Sequence, residues 1–277
     1  MTDVQAVIDA LRSVVGVEPV DDSSARGQTG SGGAPRRGLF GGQMIAQSLA
    51  ACAHTVPDGA VPSSIHVDLL RTGESGEPVD FRVERVRDGG SLQHRDVRGF
   101  QGDSLIVHAT VVSAVPAAGL DWQRHPIPAI APPDLSPGAP EAMGHFLRWG
   151  VFDVGYPTSE DDAEPPSHPL WVRSSVELPD DPWLEGAVRA FWSDFGMNWS
   201  ARATHNELDE APVVSLSSSH SVWFHRWPAV DEWHLFDVHT QSLAGNQGFV
   251  QASLFDASGG LTASVAQGVY IRNPGPA

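Results

Sequence analysis

The 277-residue chain contains no lysine; all 17 of its basic residues are arginine. Chemistry that needs an amine side chain is thereby excluded, from Schiff-base cofactors to the phosphate-binding lysine of P-loop NTPases. Cysteine is almost as scarce. Cys52 stands alone, so neither an intrachain disulfide nor a cysteine-rich metal cage can form, and a reducing compartment fits. No stretch approaches the ~18 apolar residues of a membrane span. The opening "MTDVQAVIDALRSVV" has Asp3 and Asp9 where a signal peptide carries basic and then apolar residues, so the protein is expected to be soluble and cytoplasmic. Val4, Val7, Leu11 and Val14 instead mark a short amphipathic helix. Positive charge is in short supply too: 34 acidic residues leave a net charge of -17. Such a field repels polyanions, so nucleic acid is not an expected partner and an anionic ligand needs a local basic site.

What is present is an alternating pattern that occurs twice. After the glycine-rich "GQTGSGGAPRRG" comes "LFGGQMIAQSLAACAHTV", a helix-forming composition ending before Pro57. The stretches "SSIHVDLLRTG", "PVDFRVERVRDG", "SLQHRDVRGFQ" and "SLIVHATVVSAV" follow, with turn signals at Asp88-Gly89 and Gly102-Asp103, and predict an antiparallel meander. Residues 116–169 are rich in proline, alanine and acids and predict a linker with one short helix in "GHFLRWGVF". A helix is then predicted from Trp183 to Ser200, followed by strands in "VVSLSSSHSVWFHR", "EWHLFDVHTQSL", "GFVQASLFD" and "LTASVAQGVYIR". A constant offset pairs Arg71 with Arg226, Phe81 with Phe236, Val83 with Val238, Gly90 with Gly245 and Phe100 with Phe255, the signature of an internal duplication. A helix plus meander occurring twice predicts an α+β double hotdog, two antiparallel sheets each wrapped around a long helix. Residues 1–115 form the first unit and 170–277 the second, with the ligand cleft between them.

Within "AFWSDFGMNW" a single carboxylate, Asp194, sits at the edge of the helical face made by Leu184, Ala187, Val188, Phe191 and Phe195. A partly buried carboxylate must be hydrogen-bonded or raise its pKa; the alternative is an acid on the solvent rim of an amphipathic helix. "SLSSSHS" places Ser215, Ser217 and Ser219 on one face of a strand, and Gln267 interrupts a last strand of small and apolar residues. The first half has Pro62 opposite Ser217 and Val111 opposite Gln267, so the polar set occurs once. A duplicated scaffold looks this way when one copy holds the chemistry.

"LFGGQMIAQSLAA", "SIHVDLLRTGE", "VERVRDGGSLQHRDVRGFQ", "FWSDFG", "HSVWFHR" and "LTASVAQGVYIR" resemble, in that order, the motifs of the TesB-type acyl-CoA thioesterase II family. The resemblance implies hydrolysis of acyl-CoA by a water held between an Asp, a Thr or Ser, and a Gln, which fall on Asp194, Ser217 and Gln267. No covalent intermediate, cofactor or metal is implied. Backbone N–H groups at the helix start, Phe40, Gly41, Gly42 and Gln43, are candidate oxyanion donors, and Arg36 and Arg37 a candidate clamp for the phosphates of coenzyme A. The chain departs from the family pattern at Ser219 (usually Asp), Gln247 (usually Arg), Gly268 (usually Glu) and Thr72 (commonly Pro).

The competing reading is a double-hotdog protein that binds acyl-CoA without turning it over; a hotdog dehydratase lacks support because its His-bearing loop motif is not visible. "GDSL", Gly102 to Leu105, and "DEWH", Asp231 to His234, imitate a serine esterase, but Ser104 leaves a hairpin turn and enters a strand rather than a helix. His220 and His225 are five apart, face opposite ways on a strand and do not share a metal. Cys52 reads as a small core residue. Exposed sheet edges are usually managed by pairing, so a homo-oligomer is expected.

Overall fold

The computed structural model describes residues 4–29, 38–130, 151–155, 169–204 and 213–272. Helix α1 (Val4–Val15) buries Leu11 and Val15, as its apolar spacing requires. A short hairpin follows, β1 (Glu18–Asp21) and β2 (Ser24–Gly27), turned by the Asp21 carboxylate, which accepts from the Ser23 N–H at 2.8 Å. Four-residue strands carry too few alternations to be seen in sequence. Helix α2 (Gly41–Ala50) precedes β3 (Val61–Leu69), β4 (Val79–Asp88), β5 (Leu92–Gln101) and β6 (Ser104–Ala114). The second half comprises β7 (Phe152–Gly155), β8 (Leu170–Ser174), α3 (Pro182–Trp192), α4 (Met197–Arg202), β9 (Val214–Phe224), β10 (His234–Ala244), β11 (Gln247–Asp256) and β12 (Leu261–Arg272).

All twelve strands join one antiparallel sheet in the order β1-β2-β4-β5-β6-β3-β9-β12-β11-β10-β8-β7. The order reads the same from either end once β3 is matched with β9, β6 with β12, β5 with β11 and β4 with β10, so the halves are related by a pseudo-twofold between β3 and β9. Two separate sheets around long helices are therefore not what forms. The seam is a ladder in which Ile65 faces Val222 and Val67 faces His220, and it satisfies backbone groups that two free edges would leave unpaired. The helices are also short, at 10 and 11 residues. The single helix predicted from Trp183 to Ser200 is broken by the turn at residues 193–196, in which Gly196, with a φ of 71°, lies in the left-handed region that favours glycine.

Part of the expected linker is sheet: β7 pairs with β8 through Val154 and Val172. The short helix expected in "GHFLRWGVF" falls, but for Val151 and Phe152, outside the described residues. The duplication is visible in side chains. The Arg71 guanidinium donates to the Leu105 carbonyl at the start of β6, and that of Arg226 donates to the Leu261 carbonyl at the start of β12.

Helices α2 and α3 pack antiparallel on one face of the sheet. A Cβ on Gly42 would meet the Phe191 carbonyl oxygen at 2.5 Å, and one on Gly186 would meet Leu49 Cδ2 at 3.4 Å. Glycine therefore sets the helix spacing at the start of α2. Around the crossing lie Phe40, Phe152, Phe191, Trp192 and Phe195, with the Phe40 and Phe191 rings edge to face at 5.1 Å. Such pairs add about 0.5–1.5 kcal/mol each beyond the area they bury.

Candidate active site

Helix α3 starts on Asp181, which accepts from the N–H groups of Trp183 and Leu184 at 3.0 and 3.2 Å, with Pro182 in the first turn. It ends at Trp192, and Asp194 sits in the turn beyond it, 6% exposed. The rim reading is thereby excluded: the carboxylate points inward, to the N-terminus of α2. Oδ2 accepts the Gly42 N–H at 2.9 Å, and Oδ1 accepts the Ser217 hydroxyl at 3.1 Å. An anion at a helix N-terminus is favoured by the unpaired amides and the helix dipole. Burial still dominates. It pushes the Asp194 pKa up to about 6, with Ser217, Gly42 and Gln267 limiting the rise.

Ser217 reaches this position through a bulge. Val269 faces Ser217 and Gly268 faces Ser219, so Ser218 is an extra residue in β9. Ser215, Ser217 and Ser219 consequently do not share one face: Ser217 turns to Asp194, Ser219 is exposed, and His220 is buried on the helix side. Ser217 is itself held by Asn198 of α4, whose Nδ2 donates to Oγ at 3.0 Å. With a donor behind it, the serine hydroxyl directs its one proton to Asp194.

Gln267 lies on β12 directly opposite His220, 1% exposed. Its Oε1 is 2.5 Å from His220 Nδ1, and His220 Nε2 is 2.7 Å from Ser193 Oγ. The Gln267 Nε2 faces Asp194 closely enough to favour the anion, yet it reaches no hydrogen-bond partner among the described residues. A buried amide donor thus stands beside the acid with its hydrogen-bonding capacity unused among the described residues.

The three expected catalytic residues converge. The substrate-binding candidates divide. Phe40 packs on Phe191 and Phe195, and Gly41 is a glycine because a Cβ there would meet Asp194 Oδ2 at 2.7 Å. Gly42 gives its N–H to Asp194, so it holds the acid rather than standing ready for an oxyanion. Gln43 turns away, donating to the Val14 and Gln28 carbonyls. Arg36 and Arg37 lie outside the described residues. Ser193, Asn198 and His220 escape sequence reasoning because their placement depends on the turn after α3 and the bulge in β9.

Two departures from the family pattern, Ser219 and Gly268, prove to be cross-strand partners. A Cβ on Gly268 would meet Ser219 Oγ at 2.7 Å, so a side chain at 268 would press on the residue at 219. Ser104 opens β6, with no helix after it. Cys52 is fully buried, and burial pushes its thiol far up, which makes it inert. Among the described residues no group of three or more His, Cys, Asp or Glu could hold a metal, and no helix is long and apolar enough to cross a membrane.

A buried, raised carboxylate beside a hydroxyl and an amide is equipped to activate water, and similarity to known proteins fits that chemistry. Residues 31–114 match the family model of the acyl-CoA thioesterase N-terminal domain, and residues 163–270 match that of acyl-CoA thioesterase. The acyl-CoA thioesterase II TesB2 of Mycobacterium marinum is 30% identical, with 96% of this chain and 99% of that one covered and a TM-score of 0.82. Acyl-CoA thioesterase 2 of Haemophilus influenzae is 27% identical over 283 residues, 96% of this chain and 98% of the relative. A protein with a hot dog fold from Alicyclobacillus acidocaldarius, at 19% identity, 96% and 98% coverage and a TM-score of 0.76, supports the fold alone. With both halves matched in order and the putting together of Asp194, Ser217 and Gln267 at their junction, the chain belongs to the TesB-type acyl-CoA thioesterase II family.

Proposed function

We propose that Asp194, Ser217 and Gln267 activate the water with which this chain hydrolyses acyl-CoA thioesters to free acid and coenzyme A. The observation that carries the reading is the buried Asp194 carboxylate, raised toward 6 and beside a donor amide that has no partner among the described residues. A water donating to Asp194 and accepting from Gln267 Nε2 keeps one lone pair for the thioester carbonyl. As its oxygen bonds to carbon, its proton passes to Asp194; when the C–S bond breaks, Asp194 returns that proton to the departing thiolate. Atoms and charge balance without a covalent enzyme intermediate. Ser217 holds the carboxylate in place, since its hydroxyl proton is directed to Oδ1. Residues 1–115 and 170–277 act as two hotdog units, the first lending the α2 N-terminus and the second the acid.

The pH dependence follows from the sign of the shift. A general base must be ionised, so kcat/KM for one good acyl-CoA substrate falls as pH drops through about 6, the value to which burial raises Asp194. A profile flat down to the ordinary carboxylate range would remove Asp194 as the base.

Arg36 and Arg37 are proposed to bind the phosphates of coenzyme A, a local positive site on a chain of net charge -17. Changing both to Ala raises KM more than it lowers kcat, because a contact present in ground and transition states alike is uniform binding. The wild-type KM also rises more steeply with salt than that of the variant. Equal salt dependence in the two proteins counts against the clamp.

A further inference from the structure

We infer that His220 is a positioning residue, donating from Nδ1–H to Gln267 Oε1 and so locking the amide with its NH2 toward Asp194. The inference rests on the role proposed above for Gln267. An isolated glutamine amide can present either end, and a flipped Gln267 would set its oxygen against the Asp194 carboxylate, acceptor against acceptor. Something must forbid the flip. Across its two ladders Gln267 faces Val250 on β11 and His220 on β9, so His220 is its polar cross-strand partner, with Oε1 and Nδ1 2.5 Å apart. Oε1 carries no proton, so Nδ1 is the donor. Nε2 then bears a lone pair facing the Ser193 Oγ at 2.7 Å, so on this inference the hydroxyl proton, which also has the Ala190 carbonyl within 2.7 Å, is shared toward Nε2.

The ring is suited to a fixed tautomer. His220 is 1% exposed, and burial, the larger influence, lowers its pKa to about 4, so the imidazole stays neutral through the working range. Neutral, it has one N–H, and the Gln267 Oε1 at 2.5 Å, which can only accept, draws that proton to Nδ1. Ser193 is the residue before Asp194, so the clamp on the ring and the acid move as one turn. His220 touches neither Asp194 nor the water; it acts through Gln267.

The test combines a spectroscopic signature with a conservative pair of variants. In full-length protein with 15N-histidine, His220 is assigned through its proximity to the Gln267 side-chain amide protons. It shows a protonated Nδ1 and a bare Nε2 at pH 7. A protonated Nε2 overturns the inference, and this measurement needs no variant to fold. His220→Asn places an amide NH2 near the former Nδ1 and keeps kcat within a few fold of wild type. His220→Gln places its amide near the former Nε2 and lowers kcat about 10- to 100-fold, the cost of a misaimed group, with KM little changed. In a Gln267→Ala background His220→Gln lowers kcat by less than about twofold, because the group it positions is gone. If Gln267→Ala is damaging and His220→Gln adds its whole loss on top, the inference about His220 falls while the role of Gln267 stands. If Gln267→Ala leaves kcat within about threefold of wild type, well short of the loss expected for an oriented donor, the role of Gln267 itself fails, and that of His220 with it.

Discussion

Asp194→Asn lowers kcat by roughly 10² to 10⁴, the span usual for a positioned general base. The side chain keeps its shape and its place at the N-terminus of α2, but an amide cannot take the proton of the attacking water. Ser217→Ala and Gln267→Ala each cost less, and double variants fall short of additivity because Asp194 and Gln267 act on one water and Ser217 acts through Asp194. If Asp194→Asn retains more than about a third of wild-type kcat, outside that span, the carboxylate is a structural group and the mechanism is wrong. Stability moves the other way. The folded-state pKa of Asp194 lies above its ordinary 3.8, at about 6, so the folded protein binds a proton that the unfolded chain has released between those values. The contribution is full below about 3.8 and is lost as pH rises through about 6. At pH 8 the ionised, buried acid costs wild type on the order of 3 kcal/mol. Removing the charge recovers part of this, since the new NH2 must face one of the two donors, Gly42 N–H or the Ser217 hydroxyl. Asp194→Asn therefore melts at or above wild type at pH 8, and that advantage shrinks as the pH is lowered to 4. Melting curves at the two pH values check the sign.

Gly42→Ala is expected to damage fold and site together. The added Cβ would stand 2.5 Å from the Phe191 carbonyl oxygen and collide with the Phe40 ring, so α2 and α3 must separate. Overpacking of this kind costs about 1–3 kcal/mol, a fall in Tm of roughly 2–4 °C for each kcal/mol in a chain of this size. The same displacement carries the Gly42 N–H away from Asp194 Oδ2. Loss of a donor to the anion raises the pKa of the acid further. The acid limb of kcat/KM accordingly moves to higher pH, in addition to the loss of Tm. A variant with the wild-type Tm and an unmoved limb would show that the two helices are not held at this spacing by glycine, and that Gly42 does not govern the acid.

The repeated helix-and-meander pattern and the likeness of its two copies were legible because they are periodic. Phe81 and Phe236 face the core for the same reason, each sitting on the inward phase of a strand, and both are buried to within 1%. Asp194 was legible as well: a carboxylate among aromatic residues is costly to bury, so its presence asks for partners. The partners themselves were legible in part. Ser217 and Gln267 stood out as polar residues that the first half lacks, and the resemblance to a family fell on the same positions.

Beyond that point periodicity carries no information. One extra serine, Ser218, reverses the facing of every later residue in β9, and no alternation in "SLSSSHS" reveals where the bulge falls. It brings His220 to the side of Ser217, where parity alone would set them on opposite faces. The turn at residues 193–196, closed by glycine in the left-handed region, interrupts what composition allows as one continuous helix, and Asn198 beyond it bonds Ser217. The merging of two sheets into one is a pairing of β3 with β9, decided by edges that local patterns do not describe. One of the two donors that hold Asp194 is the amide of Gly42, 152 residues away in the chain. The sequence by itself determined which residues are polar where burial is expected. Only the tertiary structure decided which donor each would meet, because hydrogen bonds depend on distance and direction, and those arise when the two halves close on one another.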